Sequence, residues 1–376
     1  MKRNLIVVAA GGTAGHVLPA ISFAKELEAI GIKKQHIKFI GSKTGIENKL
    51  VPQEGYSLVS INGRGITRKV SLDSLFSIFK LVIGIFEAIA RMGFYRPRAV
   101  VSFGGYGGLA CSIAAVVWKV PLVIAESNAV PGAANKLMAP FAKVNIVAFD
   151  STDLPNKELL GNPIRPQIQQ LQRNLHTKRT ARQKLNLPPD SFVVAIFGGS
   201  LGAHHLNEVT RKVVTILSDH KDIAIRHIVG KRDWQEFSKI IDTKNLVYQV
   251  VEYQDDMASL YAACDIVISR AGGTTVAEIT ALGIPAILVP LPNSPGDHQS
   301  ANAKALSDAG GVIVIKDSDL RAEDICFQIE QLSSNPLKLN TMSQSLLKIG
   351  HKDAAQKMAM LVDKIASPTK ISIDSK

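Results

Sequence analysis

The sequence predicts an α/β fold built from two doubly wound, Rossmann-like parallel-sheet domains facing a cleft. Three observations carry that expectation. The chain has 376 residues, about twice the length of a typical single domain. Short continuous apolar runs end repeatedly in glycine turns that lead into helical patterns. One such strand, turn and helix also returns 187 residues after its first appearance, with GGTAGH at 11–16 echoed by GGSLGA at 198–203.

Taken in order, Leu5 to Ala10 reads as a buried strand, GGTAGH as the turn, and the pattern up to Gly31 as a helix. Further strands are expected at 37–41 (IKFIG), 99–103 (AVVSF, followed by GGYGG) and 121–126 (PLVIAE). The second half opens at Phe192 to Phe197 and adds 223–230, 246–253, 265–270 and 284–290. Apolar strands alternating with helices of about 10–15 residues imply parallel sheets covered on both faces. The boundary is expected near GNPIRP (161–166), giving domains 1–164 and 165–344. A basic, glutamine-rich helix follows from Gln167 to Leu185. Its charges read as a solvated face rather than a nucleic-acid patch, because no aromatic residues interleave with them. The last helix, about Leu337 to Ile365, is amphipathic. Its part at 345–366 is expected to pack back on the first domain, leaving 367–376 frayed.

Composition bounds the function. With 46% apolar and 20% charged residues the chain is globular, and 44 Lys and Arg against 32 Asp and Glu give +12. The surplus is uneven: residues 1–164 carry 19 basic against 10 acidic side chains, a balance of +9, so anions are expected mostly at the first half. Cys111, Cys264 and Cys326 form no CxxC pair, which argues against a zinc site or a disulfide framework and for a reducing cytoplasm. The start, MKRNLIVVAAGG, is too short a hydrophobic region for a secretion leader. The apolar stretch Leu72 to Phe94 is interrupted by Asp73, Lys80, Glu87 and Arg91, and no run approaches the ~20 residues that span a bilayer.

Glycine turns between strand and helix let backbone N–H groups and the helix dipole hold a phosphate. A nicotinamide dinucleotide is disfavoured: Thr13 replaces the second glycine of G-x-G-x-x-G, and no acid ends the second strand, where Glu47 is the first carboxylate. The Walker pattern is absent. In SRAGGTTVAEI (269–279), Thr274 and Thr275 stand where they can cap the next helix. Glu278 there either completes a capping box or accepts hydrogen bonds from a ribose diol. GDHQSANA (296–303) opens another helix and brings Gln299 to the same sheet edge.

In this order and spacing, GGTAGH, FGGYGG, ESN, GNPIR, FGGSLGA, DDMASLYAACDIVISRAGGTTVAEI and DHQSANA resemble the MurG family, glycosyltransferase family 28 of the GT-B fold, over about residues 4–365. The family moves N-acetylglucosamine from UDP-N-acetylglucosamine to undecaprenyl-diphospho-N-acetylmuramyl pentapeptide (lipid I), giving lipid II for peptidoglycan and so serving cell shape and division. The resemblance implies that the second domain holds the donor. Ser200 and Gly273, Thr274, Thr275, Val276, Ala277 and Glu278 would meet its diphosphate, sugar and ribose, Gln299 its sugar, and backbone near Gln254 its uracil. It implies that Thr13, Ala14, Gly15, Asn128 and Arg165 close over the donor from the first domain. Gly104, Gly105 and Tyr106 would meet the acceptor diphosphate. Where the family usually reads HEQN this chain reads AESN, so Ala125 and Ser127 cannot supply the imidazole and amide contacts, and Glu126 remains as the catalytic-side carboxylate.

Inversion at an α-linked sugar needs a base for the acceptor proton and stabilisation of the departing diphosphate. His16, just after the first glycine turn, is the candidate base, an imidazole being suited to neutral pH; the other reading is a helix cap or substrate hydrogen bond. No D-x-D ends a strand, so no metal ligands and no cofactor are expected, with magnesium entering only through substrate phosphates. Leu75, Phe79, Val82 and Phe86 recur at helical spacing, as a core helix does. Arg64, Arg68 and Lys69 on one side, with Arg91, Arg96 and Arg98 on the other, also suit a peripheral contact with the anionic cytoplasmic face of the cell membrane. Competing readings are a diacylglycerol glycosyltransferase, a UDP-N-acetylglucosamine epimerase and a non-catalytic UDP-sugar binder. Partner proteins of wall synthesis are left open.

Overall fold

The computed structural model describes residues 4–62, 72–199, 202–239, 241 and 243–367, and the side chains of 72–78 fall outside it. Arg64, Arg68, Lys69, the Leu75 side chain and Ser200 therefore lie outside the described residues. Two parallel sheets form, one in each of two compact units. The first unit comprises 1–127, 131–164 and 353–376, and the second 128–130 and 165–352.

The first sheet contains β1 (Ile6–Ala9), β2 (Ile37–Ser42), β3 (Ser57–Ile61), β4 (Ala99–Ser102), β5 (Leu122–Glu126), β6 (Val144–Val147) and β7 (Lys157–Leu159). Its spatial order is β3-β2-β1-β4-β5-β6-β7. The second contains β8 (Phe192–Phe197), β9 (Ile223–Ile228), β10 (Val247–Val251), β11 (Ile266–Ser269), β12 (Ala286–Leu288) and β13 (Val312–Val314), in the order β10-β9-β8-β11-β12-β13. β1 and β4 are buried at every position, as strands covered on both faces must be. The α/β, two-sheet expectation is met. Strands β3, β6, β7 and β13 were not foreseen, and none of them is buried at every position.

In doubly wound sheets, ligands bind where the strand order reverses, outside the carboxyl ends of the strands. Here those points are β1/β4 in the first sheet and β8/β11 in the second. The four glycine turns of the sequence follow these four strands, so each switch point is flanked by two of them.

The expected single C-terminal helix is two. Pro336–Ile349 belongs to the second unit, and Ala354–Ala366 to the first, so the segment 345–366 is not one element. Gly350 breaks it in an extended conformation, packed so closely that a Cβ there would lie 2.7 Å from Thr280 O. The helix Ala354–Ala366 inserts Met358, Ala359, Val362 and Ala366 among Phe23, Leu27 and Val101 of the first unit's core.

The basic helix also differs. It is split into Pro166–Gln169 and Leu175–Lys184, the latter begun by an Asn174–Thr177 capping box. Arg179 and Lys184 are exposed, as a solvated face requires, but Arg173, Lys178 and Arg182 are not. Arg173 donates to Cys264 O at 2.7 Å, Arg182 is 3% exposed and pairs with Asp265 at 2.7 Å, Lys178 pairs with the same carboxylate, and Lys184 pairs with Asp256. They clamp the helix to the start of β11 and to the helix Met257–Ala263.

Candidate active site

At the β1/β4 switch point, Gly11 to Thr13 lead into the helix Ala14–Ala29, and Gly104 caps the helix Gly105–Val117. The two approach closely, and glycine is what permits it: a Cβ on Gly105 would stand 2.4 Å from Gly11 O. His16 is half-buried between them. Its Nδ1 donates to Gly11 O at 3.1 Å, because a carbonyl can only accept, and this tautomer leaves the lone pair of the neutral ring on Nε2. Among the described residues Nε2 meets no hydrogen-bonding partner. Its neighbours are Gly104 and Asn135, since a Cβ on Gly104 would lie 3.5 Å from Nε2 and 3.4 Å from the Asn135 amide.

Glu126, at the end of β5, is 5% exposed and accepts from Gly132 N at 3.0 Å and Asn135 Nδ2 at 2.8 Å. It orients the amide that borders His16 and shapes the loop after β5. Thr13, Ala14 and Gly15 form the exposed or half-buried first turn of their helix, and Tyr106 is half-buried beside Gly105. His16, Glu126, Gly104, Gly105 and Tyr106 thus gather at one sheet edge.

Two residues expected on the first domain belong to the second unit. Arg165 is the N-cap of Pro166–Gln169, and its Nε and Nη2 grip both oxygens of Glu278 at 2.8 Å each, a bidentate pair. Asn128 and Ala129 are fixed by Asn302, which accepts from Ala129 N at 2.8 Å and donates to Asn128 Oδ1 at 3.1 Å and Ala271 O at 3.0 Å. Asn302 lies 173 residues from Ala129 and 174 from Asn128, a separation that no local pattern spans.

Glu278 completes no capping box. The helix Gly273–Leu282 is begun by Gly272 without a side-chain cap, and Glu278 sits one turn further in, 1% exposed, where it also accepts from Tyr261 Oη at 3.0 Å. Burial lowers the affinity of Arg165 for its proton, but the Glu278 carboxylate outweighs it and the net shift is upward, so the guanidinium keeps its charge. Burial, followed by the same carboxylate, holds the Tyr261 phenol well above its ordinary value, so it serves as donor. Arg165 keeps Nη1 outside the fork.

The Thr274 hydroxyl, at the start of the same helix, is buried with no partner among the described residues. Capping by Thr274 and Thr275 is therefore not what the structure does. Val276 faces the core and spends its N–H on Gly272 O, while Ala277 is half-buried. Gln299 uses its carbonyl oxygen to accept from Ala271 N and Leu291 N at 3.1 and 2.9 Å, which ties the loops after β11 and β12 together and leaves its amide N–H groups. Gln254 is a spacer, accepting from Arg226 at 2.7 Å and donating to Asp256 O at 2.9 Å.

Beneath the turn after β8 lies a network that no motif announced. Asn207 donates to Val229 O and Asp233, and its oxygen faces His227 Nε2 at 2.9 Å, while His227 Nδ1 faces Tyr248 Oη at 3.0 Å. Burial lowers His227 to about 3, so the ring is neutral. Asp317 pairs with Arg270 at 2.5 Å and Asp256 caps its helix through Ser259 N, so both acids have structural duties. Among the described residues, no three His, Cys, Asp or Glu side chains group as metal ligands. The three cysteines are free and buried.

The helix Leu72–Tyr95 divides its apolar residues between two faces. Ala88 and Met92 are buried in the first unit's core with Ile85 and Ile89 against it, whereas Phe79, Val82 and Phe86 are 61%, 43% and 68% exposed. Arg98, counted among the flanking cations, is directed at Asp363. Among the described residues no helix is long and apolar enough to cross a membrane.

Comparison with known proteins agrees with this arrangement. Residues 6–146 match the glycosyltransferase family 28 N-terminal domain, and 193–358 the glycosyltransferase family 28 C-terminal domain. A protein of Thermoanaerobacter sp. named UDP-N-acetylglucosamine--N-acetylmuramyl-(pentapeptide) pyrophosphoryl-undecaprenol N-acetylglucosamine transferase is 36% identical over 366 residues, covering 95% of this chain and 98% of that one. The protein of the same name from Myxococcus xanthus is 34% identical, covering 94% and 91%. The crystal structure of MurG from Acinetobacter baumannii superposes with a TM-score of 0.74 at 29% identity, covering 96% of this chain and 99% of that one. The chain belongs to the MurG family of N-acetylglucosamine transferases, within glycosyltransferase family 28.

Proposed function

We propose that this enzyme transfers N-acetylglucosamine from UDP-N-acetylglucosamine to the muramyl hydroxyl of lipid I, with inversion, and that His16 is the base. The observation that carries the assignment of the base is the hydrogen bond from His16 Nδ1 to Gly11 O, which leaves Nε2 as the acceptor of a proton. As the acceptor oxygen forms its bond to the anomeric carbon, its proton goes to Nε2 and the bond to UDP breaks. The leaving diphosphate gains negative charge. It is met by the N-terminus of the helix Gly273–Leu282, the Thr274 hydroxyl and Arg165 Nη1, which are preorganised donors. Glu278 and the Gln299 amide hold the ribose and sugar, and Ser200, Gln254 and Asn128 complete the donor contacts. Thr13, Ala14, Gly15 and the helix start at Gly104, Gly105 and Tyr106 receive the acceptor. Any magnesium enters through substrate phosphates.

The first unit meets the cytoplasmic leaflet through Phe79, Val82, Phe86 and Leu75, with Arg64, Arg68 and Lys69 toward anionic headgroups. Replacing Phe79 and Phe86 together by Ser is expected to weaken binding to vesicles containing anionic phospholipid at least tenfold, since burying one such ring is worth ~1.5–3 kcal/mol. Cosedimentation reads this, and unchanged binding would remove the helix from that role. The activity itself is tested by UDP release on mixing the protein with UDP-N-acetylglucosamine and lipid I, with diacylglycerol as the alternative acceptor. Release with diacylglycerol but not lipid I would reassign the acceptor.

A further inference from the structure

The turn that carries His16 rests on a carboxylate buried beneath it. Glu47, at the start of the helix Glu47–Gln53, is 0% exposed. Its Oε1 accepts from Ser42 N and Ser42 Oγ, both at 2.7 Å, and its Oε2 accepts from Gly12 N at 3.1 Å. The cradle has no spare room, because a Cβ on Gly11, Gly41 or Gly45 would fall 2.7, 2.7 or 2.0 Å from Glu47 atoms. The Gly12 N–H and the Gly11 C=O belong to one peptide unit. That unit is trans, so its two polar groups point in opposite directions. One end reaches Glu47, and the other accepts from His16 Nδ1 at 3.1 Å.

We infer that Glu47 is a positioning residue for the base, acting on His16 through the Gly11–Gly12 peptide. The inference rests on the reading of His16 as the base. Donation of the Gly12 N–H to a carboxylate shifts amide electron density toward Gly11 O, and hydrogen bonds in such a chain strengthen one another. Gly11 O becomes a better acceptor for Nδ1–H. This fixes the tautomer with Nε2 unprotonated and favours the imidazolium that forms when Nε2 takes the acceptor's proton. In serine hydrolases a carboxylate does this by direct contact with the imidazole; here one peptide unit is interposed. No proton moves to Glu47: the acceptor hydroxyl loses its proton, Nε2 gains it, and Nδ1 keeps its own. Gly12, at φ +92°, allows the peptide to face both partners.

The test is Glu47→Gln in the full chain, assayed by UDP release with UDP-N-acetylglucosamine and lipid I. The amide keeps the shape but loses the charge and offers an N–H group where acceptors are needed. Turnover is expected to fall about 10- to 100-fold, less than the ~10²–10⁴ of losing a base, with the donor KM within about twofold. In a His16→Ala background the same change is expected to cost less than about twofold, because a residue acting through His16 has nothing left to act on. Nitrogen-15 spectra of His16 are expected to show Nδ1–H in the parent and a mixture of tautomers in the variant.

Parental turnover in folded Glu47→Gln would overturn the proposal, as would equal losses with and without His16, the mark of general damage to the turn. If His16→Ala alone keeps its turnover, the reading of the base fails separately. The spectra then decide about Glu47, and an unchanged tautomer in Glu47→Gln overturns the positioning role. Should that variant not fold, Glu47→Asp carries the same comparisons, since it keeps the charge while withdrawing it from Gly12.

Discussion

The two units present glycine turns at the same topological point and support them differently. In the first, the turn after β1 leans on the Glu47 carboxylate and delivers an imidazole. In the second, the turn after β8 lies over the network of Asn207, neutral His227 and Tyr248, and the turn after β11 lies near the matched pair Arg165–Glu278. The backbone donors are alike in both, so the specialisation resides in what lies beneath them. A carboxylate with no paired cation among the described residues suits a turn that, with His16 read as the base, stabilises a passing positive charge. A neutral network and a charge-matched pair leave the helix N-terminus to hold an anion.

The contrast breaks most completely at His16. Replacing it with Ala is expected to lower turnover ~10²–10⁴-fold while thermal unfolding stays near that of the parent, as UDP release and a melting curve would show. Normal turnover would reduce the first turn to a binding element like the others. The next largest effect is expected from Glu278→Ala, which leaves Arg165 and the Tyr261 hydroxyl without their acceptor. Breaking a fully buried pair costs ~3–5 kcal/mol, and with a quarter of the Arg165 side chain exposed the expected loss is ~2–3 kcal/mol in urea unfolding. The donor KM is expected to rise with it. An unchanged KM would separate this pair from donor binding.

The smallest effect concerns pH. His227 has its folded pKa lowered to about 3 by burial, against 6.5 for an unfolded histidine. Between those values the unfolded chain binds the proton and the folded one does not, so stability falls as pH drops below about 6.5 and stops falling on this account near 3. The slope is at most ~1.4 kcal/mol per pH unit. Urea midpoints at pH 7, 6 and 5 read it, and His227→Gln is expected to flatten the curve. An equal slope in that variant would place the sensitivity elsewhere.

The strands that build the two switch points were legible because each is a continuous apolar run stopped by glycine. Their neighbours were less so: β7 is exposed at all three positions and β13 at one of three, so neither shows a buried run. The break at Gly350 was hidden because the apolar period continues across it on both sides. His16, Glu126, Arg165, Glu278 and Gln299 were legible as candidates through their positions after strand ends. Their partners were not. Glu47 lies 35 residues from Gly12, and Arg165 lies 113 from Glu278, so only the folded chain brings them together. The cations Arg173, Lys178 and Arg182 misled for the same reason, since Cys264 and Asp265, to which they bond, lie 83 or more residues away.

The helix Ala354–Ala366 has a consequence for the order of events during synthesis. It fills the same core as Phe23 and Leu27, so the first unit emerges from the ribosome lacking part of its own interior. All of the second unit, 128–130 and 165–352, is made before that helix exists. The half that begins the chain is therefore the half that finishes folding last. Until then it waits with apolar surface uncovered beside the helix Ala14–Ala29, the state in which aggregation competes with folding.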